Sequence, residues 1–87
     1  MKLSGKHIFV TGGASGIGQA IVRDASAEGA SVSFIDINKT AGEKLATELS
    51  AAGLNVLFVE ANVADFDQLS NAFAKAVSKF GDVTGVV

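Results

Sequence analysis

Residues 9 to 18 read FVTGGASGIG, and four of the ten are glycine. An apolar run enters this stretch and a helical pattern leaves it. A backbone of this kind can cradle a phosphate, because the free N–H groups and the dipole at a helix N-terminus both favour an anion. A side chain on the turn would push the anion away. Gly12 permits the tight turn, and Gly16 lets a ligand approach the backbone. Gly18 lies inside the first helical turn and allows close packing on the strand. Glycine in a helix costs about 1 kcal/mol against alanine, so Gly18 asks for a packing reason. The plainer alternative is that these glycines only make the turn. Asp36, at the end of the second apolar run, argues for a ligand: a carboxylate there can accept both ribose hydroxyls of an adenosine. An aspartate after a strand also caps helices, but Asn38 and Thr40 can serve that purpose. The carboxylate would repel a 2′-phosphate, and neither Ser15 nor Ile37 supplies a basic group to attract one. The expected cofactor is therefore NAD rather than NADP.

These residues need elements to hold them. His7 to Thr11 (HIFVT) is a β-rich run that ends on glycine. From Ile17 the period changes: Ile17, Ile21 and Ala25 recur at four-residue steps, and Gly29 closes that helix. Ser31 to Asp36 is a second strand. Ala41, Leu45, Leu49 and Ala52 form a second helical stripe that Gly53 ends. Thr40 with Glu43 could make a capping box at its start, with Asn38 as a rival cap. Asn55 to Glu60 is a third strand, apolar on both parities as for a strand covered on both faces. Asp65 with Gln68 resembles another capping box. Phe66, Leu69, Phe73, Val77 and Phe80 give a third stripe, read most simply as core. Gly81 stops it and Val83 to Val87 begins a fourth strand. The order β-α-β-α-β-α-β predicts an α/β, doubly wound parallel sheet of Rossmann type. The expected strand order is 3-2-1-4, with the first two helices on one face and the third on the other. The order then reverses between strands one and four, above Thr11 and Gly12, where ligands bind in such sheets.

The 87 residues suffice for one small domain, which could bury roughly 60–65% of its unfolded surface. With 48% hydrophobic and 18% charged residues, the chain is core-forming, and its net charge of −2 gives nucleic acid or an anionic membrane no basic patch. It has no cysteine, hence no disulfide, thiolate zinc site or thiol nucleophile, which fits a reducing cytoplasm. No apolar run approaches the ~20 residues of a membrane span, and no signal peptide is expected. Tyrosine and tryptophan are absent, and His7 is the one histidine.

Thr11-Gly12-Gly13-Ala14-Ser15-Gly16-Ile17-Gly18 resembles the TGxxxGIG signature of the short-chain dehydrogenases/reductases. Leu3-Ser4-Gly5-Lys6 is similar to that family's L-x-G-K lead-in, and Asp36 matches the acidic position of its NAD-preferring members. Phe80-Gly81 and the strand after it resemble the run leading to the family's NNAG motif. The resemblance implies hydride transfer between nicotinamide and an alcohol/ketone pair, with Gly12, Ser15, Gly16, Ile17, Gly18, Asp36 and Ile37 on the cofactor. In the family an aspartate-valine pair after the third strand meets the adenine amino group; here the pair is Asn62 and Val63, and a loop asparagine can instead make a local turn. The resemblance places the catalytic asparagine, serine, tyrosine and lysine beyond Val87. Residues 1–87 are thus expected to be the N-terminal dinucleotide-binding half, without catalytic residues of their own and inactive alone. The resemblance also implies a homo-oligomeric parent.

Two other functions fit less well. A non-catalytic NAD-binding or sensing module would lack the motifs after Val87. A site for another adenosine ligand, such as S-adenosylmethionine, would not need the TGxxxGIG spacing. His7 sits at the opposite end of the first strand from the glycines and is expected at the surface or an edge. Ser15 has no histidine partner for a nucleophile elbow, so a backbone phosphate contact is expected there. Asp65 and Asp67 are helix-start carboxylates, not a metal pair. The last strand leaves an apolar edge, and the isolated chain is expected to behave poorly.

Overall fold

A computed structural model describes residues 2–87. Its elements alternate as the sequence predicts: strands β1 (His7–Thr11), β2 (Ser31–Asp36), β3 (Val56–Glu60) and β4 (Gly85–Val86), and helices α1 (Gly16–Ala27), α2 (Lys39–Ala51) and α3 (Phe66–Phe80). The four strands are parallel, in the order β3-β2-β1-β4. β4 is shorter than the sequence suggests as an assigned strand, yet its bonding to β1 runs further: Thr84 N–H donates to His7 O at 2.7 Å, and Thr11 N–H donates to Val87 O at 3.0 Å.

Strand alternation sends neighbouring residues to opposite faces. Val10, Val32 and Phe34 meet Val22, Leu45 and Leu49 on the face covered by α1 and α2. Phe9 and Ile35 meet Ala72 and Ala76 on the face covered by α3. Gly42 belongs to this packing as well, because any Cβ there would collide with the Phe58 ring.

Four local expectations change. In α3 the buried residues are Ala72 and Ala76, while Phe66 is 79% exposed and Phe73 39% exposed. The small i, i+4 pair lets the helix sit close on Phe9 and Ile35, and the phenylalanines flank the contact rather than fill it. Ile17 likewise leaves the core stripe of α1, being 82% exposed, and the helix packs through Val22, Ala25 and Ser26. At α2 the cap is Asn38, whose Oδ1 accepts the Ala41 N–H at 3.0 Å. The Thr40–Glu43 box does not form, and Glu43 pairs instead with Lys39 at 3.9 Å.

His7 is the fourth correction: it is buried, with 2% exposure. The turn after α3 closes over the start of β1. Nδ1 bonds the Gly81 carbonyl at 3.0 Å, and Nε2 lies 2.7 Å from Ser33 Oγ. A carbonyl only accepts, so Nδ1 carries the proton toward Gly81. The Phe80 ring meets the imidazole edge-on at 5.3 Å between centroids. Buried polar groups are tolerated when bonded in this way. Across the outer surface, Arg23 of α1 forms a two-pronged ion pair with Glu48 of α2. Chiefly through its hydrogen bonding, Arg23 holds the Glu48 carboxyl below the usual range, and Glu48 raises Arg23 in return.

Candidate functional site

β1 ends at Thr11, and the next four residues turn the chain into α1. Gly12 has φ +67°, a left-handed conformation that glycine adopts without strain. Gly18 lies six residues further on, inside the first turn of α1. A Cβ at Gly18 would stand 2.8 Å from the Gly12 carbonyl carbon and closer still to its oxygen. The contact behind Gly18 is therefore with the turn itself, and it folds the first turn of α1 back against Gly12. Ser15 is the N-cap by backbone position, but its side chain makes no cap hydrogen bond among the described residues. The first turn of α1 also carries no acidic residue. Gln19 is where bonding into the helix begins, its N–H donating to Ser15 O at 3.2 Å. The N–H groups of Gly16, Ile17 and Gly18 thus precede the ladder and face no competing negative charge from within the turn.

Across from this turn, β2 delivers Asp36. Its Oδ2 accepts the Ala14 N–H at 3.2 Å and its Oδ1 accepts the Asn38 N–H at 2.8 Å. Two backbone donors from two different loops fix the carboxylate plane. Each oxygen keeps acceptor capacity for a further hydroxyl. Beside it, Thr11, Gly12, Asp36, Ile37, Ala61, Asn62 and Val63 line a cavity of about 300 Å³. Ile37 and Val63 are 69% and 50% exposed and give it apolar walls. Asn62 is held by local bonds: its N–H donates to Gln68 Oε1 at 2.9 Å, and its Oδ1 accepts the Ala64 N–H at 2.9 Å. Gln68 in turn donates to Asp65 at 3.2 Å, so the N-terminal cap of α3 also steadies the loop after β3.

The donor and acceptor set fits a nucleotide: uncapped helix N–H groups for phosphate, a rigid carboxylate for vicinal hydroxyls, and apolar walls for a base. Residues 6–87 match the family profile described as short chain dehydrogenase. The chain belongs to the short-chain dehydrogenase/reductase family. It is 37% identical, over all 87 residues, to the 3-oxoacyl-acyl-carrier-protein reductase of Thermotoga maritima, of which it covers 35%. It is 53% identical over 47 residues to a 3-beta-hydroxysteroid dehydrogenase of Comamonas testosteroni, a stretch that is 54% of the chain and 18% of that relative. Among solved structures it resembles a short-chain dehydrogenase/reductase from Serratia marcescens with a TM-score of 0.93 and 39% identity, over 99% of this chain and 36% of that one. A blue fluorescent protein from a metagenomic library, solved in complex with NADPH, gives 0.93 and 37%, with the same coverage. The chain spans about a third of the length of the relatives it matches end to end.

Within this short-chain dehydrogenase fold, Gly12, Asp36, Ile37, Asn62 and Val63 come together around one cavity. Ser15, Gly16, Ile17 and Gly18 lie outside its lining, on the turn and helix start that adjoin it. Two supporting residues had no role assigned from sequence. Gly13 is buried, and a Cβ there would come 2.6 Å from Phe34 Cβ, so the fourth glycine lets the turn lie flat on β2. Ala14 supplies the N–H that ties the turn to Asp36. The fourth glycine was a visible signal for the first, whereas a backbone donor leaves none. Among the described residues no three acidic or histidine side chains gather as a metal site, and no helix is long and apolar enough to cross a membrane.

Proposed function

We propose that these 87 residues bind the adenosine and pyrophosphate part of NAD(H) within an oxidoreductase that acts on an alcohol/ketone pair. The observation that carries the reading is the Asp36 carboxylate, fixed by the Ala14 and Asn38 N–H groups at the lip of the cavity and facing the uncapped start of α1. When bound, the nicotinamide donates or accepts the hydride. The chain holds the pyrophosphate on the N–H groups of the Gly12–Gly18 turn, with Ser15, Gly16 and Ile17 along it. Asp36 takes the adenosine ribose, and Ile37, Asn62 and Val63 surround the base.

Asp36 also sets the preference for NAD. Its charge opposes a 2′-phosphate, and Ser15 and Ile37 bring no cation beside it. The NADPH held by one structural relative makes the 2′-phosphate the point to test. Dissociation constants of the chain for NADH and NADPH decide it: NADH binds more tightly, and tighter NADPH binding overturns the preference.

The 87 residues contain no tyrosine. The acid/base residues of hydride transfer are proposed to lie outside them, so the purified chain binds NADH and turns over no alcohol with NAD. A cytoplasmic, homo-oligomeric parent completes the proposal.

A further inference from the structure

The Asp65–Gln68 pair that begins α3 is a capping box with one bond displaced. Asp65 Oδ1 accepts the Gln68 N–H at 3.2 Å, as a box requires. The reciprocal bond of a box would run from the Gln68 side chain to the Asp65 N–H. That donor is already taken by the Asn62 carbonyl at 3.0 Å. Gln68 Oε1 reaches further back along the chain and accepts the Asn62 N–H at 2.9 Å. Its other end, Nε2, donates to Asp65 Oδ2 at 3.2 Å. A backbone N–H only donates and a carboxylate only accepts, so both partners agree on which end of the Gln68 amide is oxygen. The side chain is held at both ends, and one end closes on the loop after β3.

That loop supplies Ala61, Asn62 and Val63 to the cavity lining, and Gln68 is not part of the lining. Ala61 is anchored: it is buried, and its N–H donates to the Asp36 carbonyl at 3.2 Å. Asn62, Val63 and Ala64 are exposed, so packing does not hold them. The bonds from Asp65 N–H to Asn62 O and from Ala64 N–H to Asn62 Oδ1 both close within the turn. They set its shape and leave its place open. Among the described residues, the Gln68 bond is the one that ties Asn62 to the body of α3. We infer that Gln68 is a positioning residue for the nucleotide cavity: it acts through the Asn62 N–H and raises dinucleotide affinity from outside the lining, which rests on the dinucleotide reading given above. A wall that is out of place for part of the time weakens the apparent affinity by the fraction in which it is absent. The coupling is reciprocal, so a bound dinucleotide tightens the Gln68–Asn62 bond in turn.

Two variants test this. Gln68→Leu removes the acceptor and keeps a helix-forming side chain. Gln68→Glu keeps an oxygen for the Asn62 N–H, and the N-terminus of α3 favours its charge. The unaltered chain and both variants are titrated with NADH by nicotinamide fluorescence. Hydrogen exchange of the Asn62 backbone amide is followed without ligand, and denaturant unfolding gives the global stability. Gln68→Leu is expected to weaken NADH binding by about fivefold and to speed Asn62 exchange by about tenfold. Gln68→Glu is expected to stay within about twofold of the unaltered chain in both. Rescue by glutamate separates a lost acceptor from a general loss of helix stability. Unchanged NADH affinity in Gln68→Leu overturns the inference, and so does equal weakening in the two variants. A loss of affinity in Gln68→Leu that only follows its loss of global stability overturns it as well. If the unaltered chain does not bind NADH, the dinucleotide reading itself fails and this inference falls with it, while Asn62 exchange still reports whether the bond to Gln68 forms.

Discussion

Asp36 binds the backbone N–H of Ala14 from the glycine-rich turn and the backbone N–H of Asn38 from the start of α2. One carboxylate thus sets the distance between two loops before any ligand arrives. Asp36→Asn removes the charge and one acceptor, because an amide NH₂ cannot accept. NADH binding is expected to weaken by about tenfold, with NADPH affected much less, so their ratio moves toward unity. Parallel fluorescence titrations measure it, and an unchanged ratio would show that Asp36 does not read the ribose.

Gly18→Ala drives a methyl group into the Gly12 carbonyl. The turn must shift, and a destabilisation of about 1–3 kcal/mol is expected by denaturant unfolding. Gly12→Ala is the contrast: nothing lies within 4 Å of the added Cβ, but φ is +67°. The expected loss there is about 1 kcal/mol and comes from backbone strain alone.

His7→Phe removes both ring hydrogen bonds and leaves Ser33 Oγ buried without its partner. The expected destabilisation is about 1–3 kcal/mol. Adding Ser33→Ala should recover part of it, since the orphaned hydroxyl goes too. A double-mutant cycle measures the coupling, and strict additivity would show that the Nε2–Oγ contact contributes nothing.

In α3 the order of sensitivity is inverted relative to side-chain size. Ala76→Val, at a position with 0% exposure, is expected to destabilise by about 1–3 kcal/mol through overpacking. Phe66→Ser, at 79% exposure, is expected to change stability by less than about 0.5 kcal/mol. Melting curves of the two variants distinguish this from a phenylalanine-centred core.

The Arg23–Glu48 pair supplies a pH dependence whose sign is fixed. Arg23 lowers the Glu48 carboxyl in the folded state, chiefly by hydrogen bonding. The folded chain therefore keeps this carboxylate ionised where the unfolded chain begins to protonate it. The stabilisation is present above the ordinary glutamate range and is lost as pH falls through the lowered value. The pair is exposed, so a small effect is expected. The melting-temperature gap between the chain and Glu48→Gln should be present at about pH 7, narrow as the pH falls through the lowered range of the Glu48 carboxyl, and shrink with added salt. A gap that persists in acid would rule the pair out as its source.

The alternation of strands and helices, the strand order and the helix faces were legible in the sequence, because apolar period and glycine stops follow directly from chain geometry. The parts that were not legible depend on what arrives from elsewhere. His7 looked peripheral because it begins a strand, yet the turn at Gly81 covers it from 74 residues away. The phenylalanines of α3 matched a helical period, but closeness to Phe9 and Ile35 selected the alanines between them. Thr40 and Glu43 carried the letters of a capping box two residues too late, because Asn38 had already taken the Ala41 N–H. At the candidate site, Gly12 and Asp36 stood out by type and spacing. The bond that joins their loops ends on the backbone of Ala14, where residue type carries no information.

The hydrogen bonds from Thr11 to the Val87 carbonyl impose a timetable on synthesis. β1 leaves the ribosome first, but its second neighbour is made 76 residues later. Until then the strand that carries the glycine-rich turn has one open edge, and the end of that strand is held only by β2. The nucleotide cleft is therefore among the last features of these residues to become rigid, although its main motif is among the first to be translated. A nascent chain exposes one unpaired edge of an apolar strand through most of that interval, and this is the window in which a chaperone or a misplaced strand would compete for it.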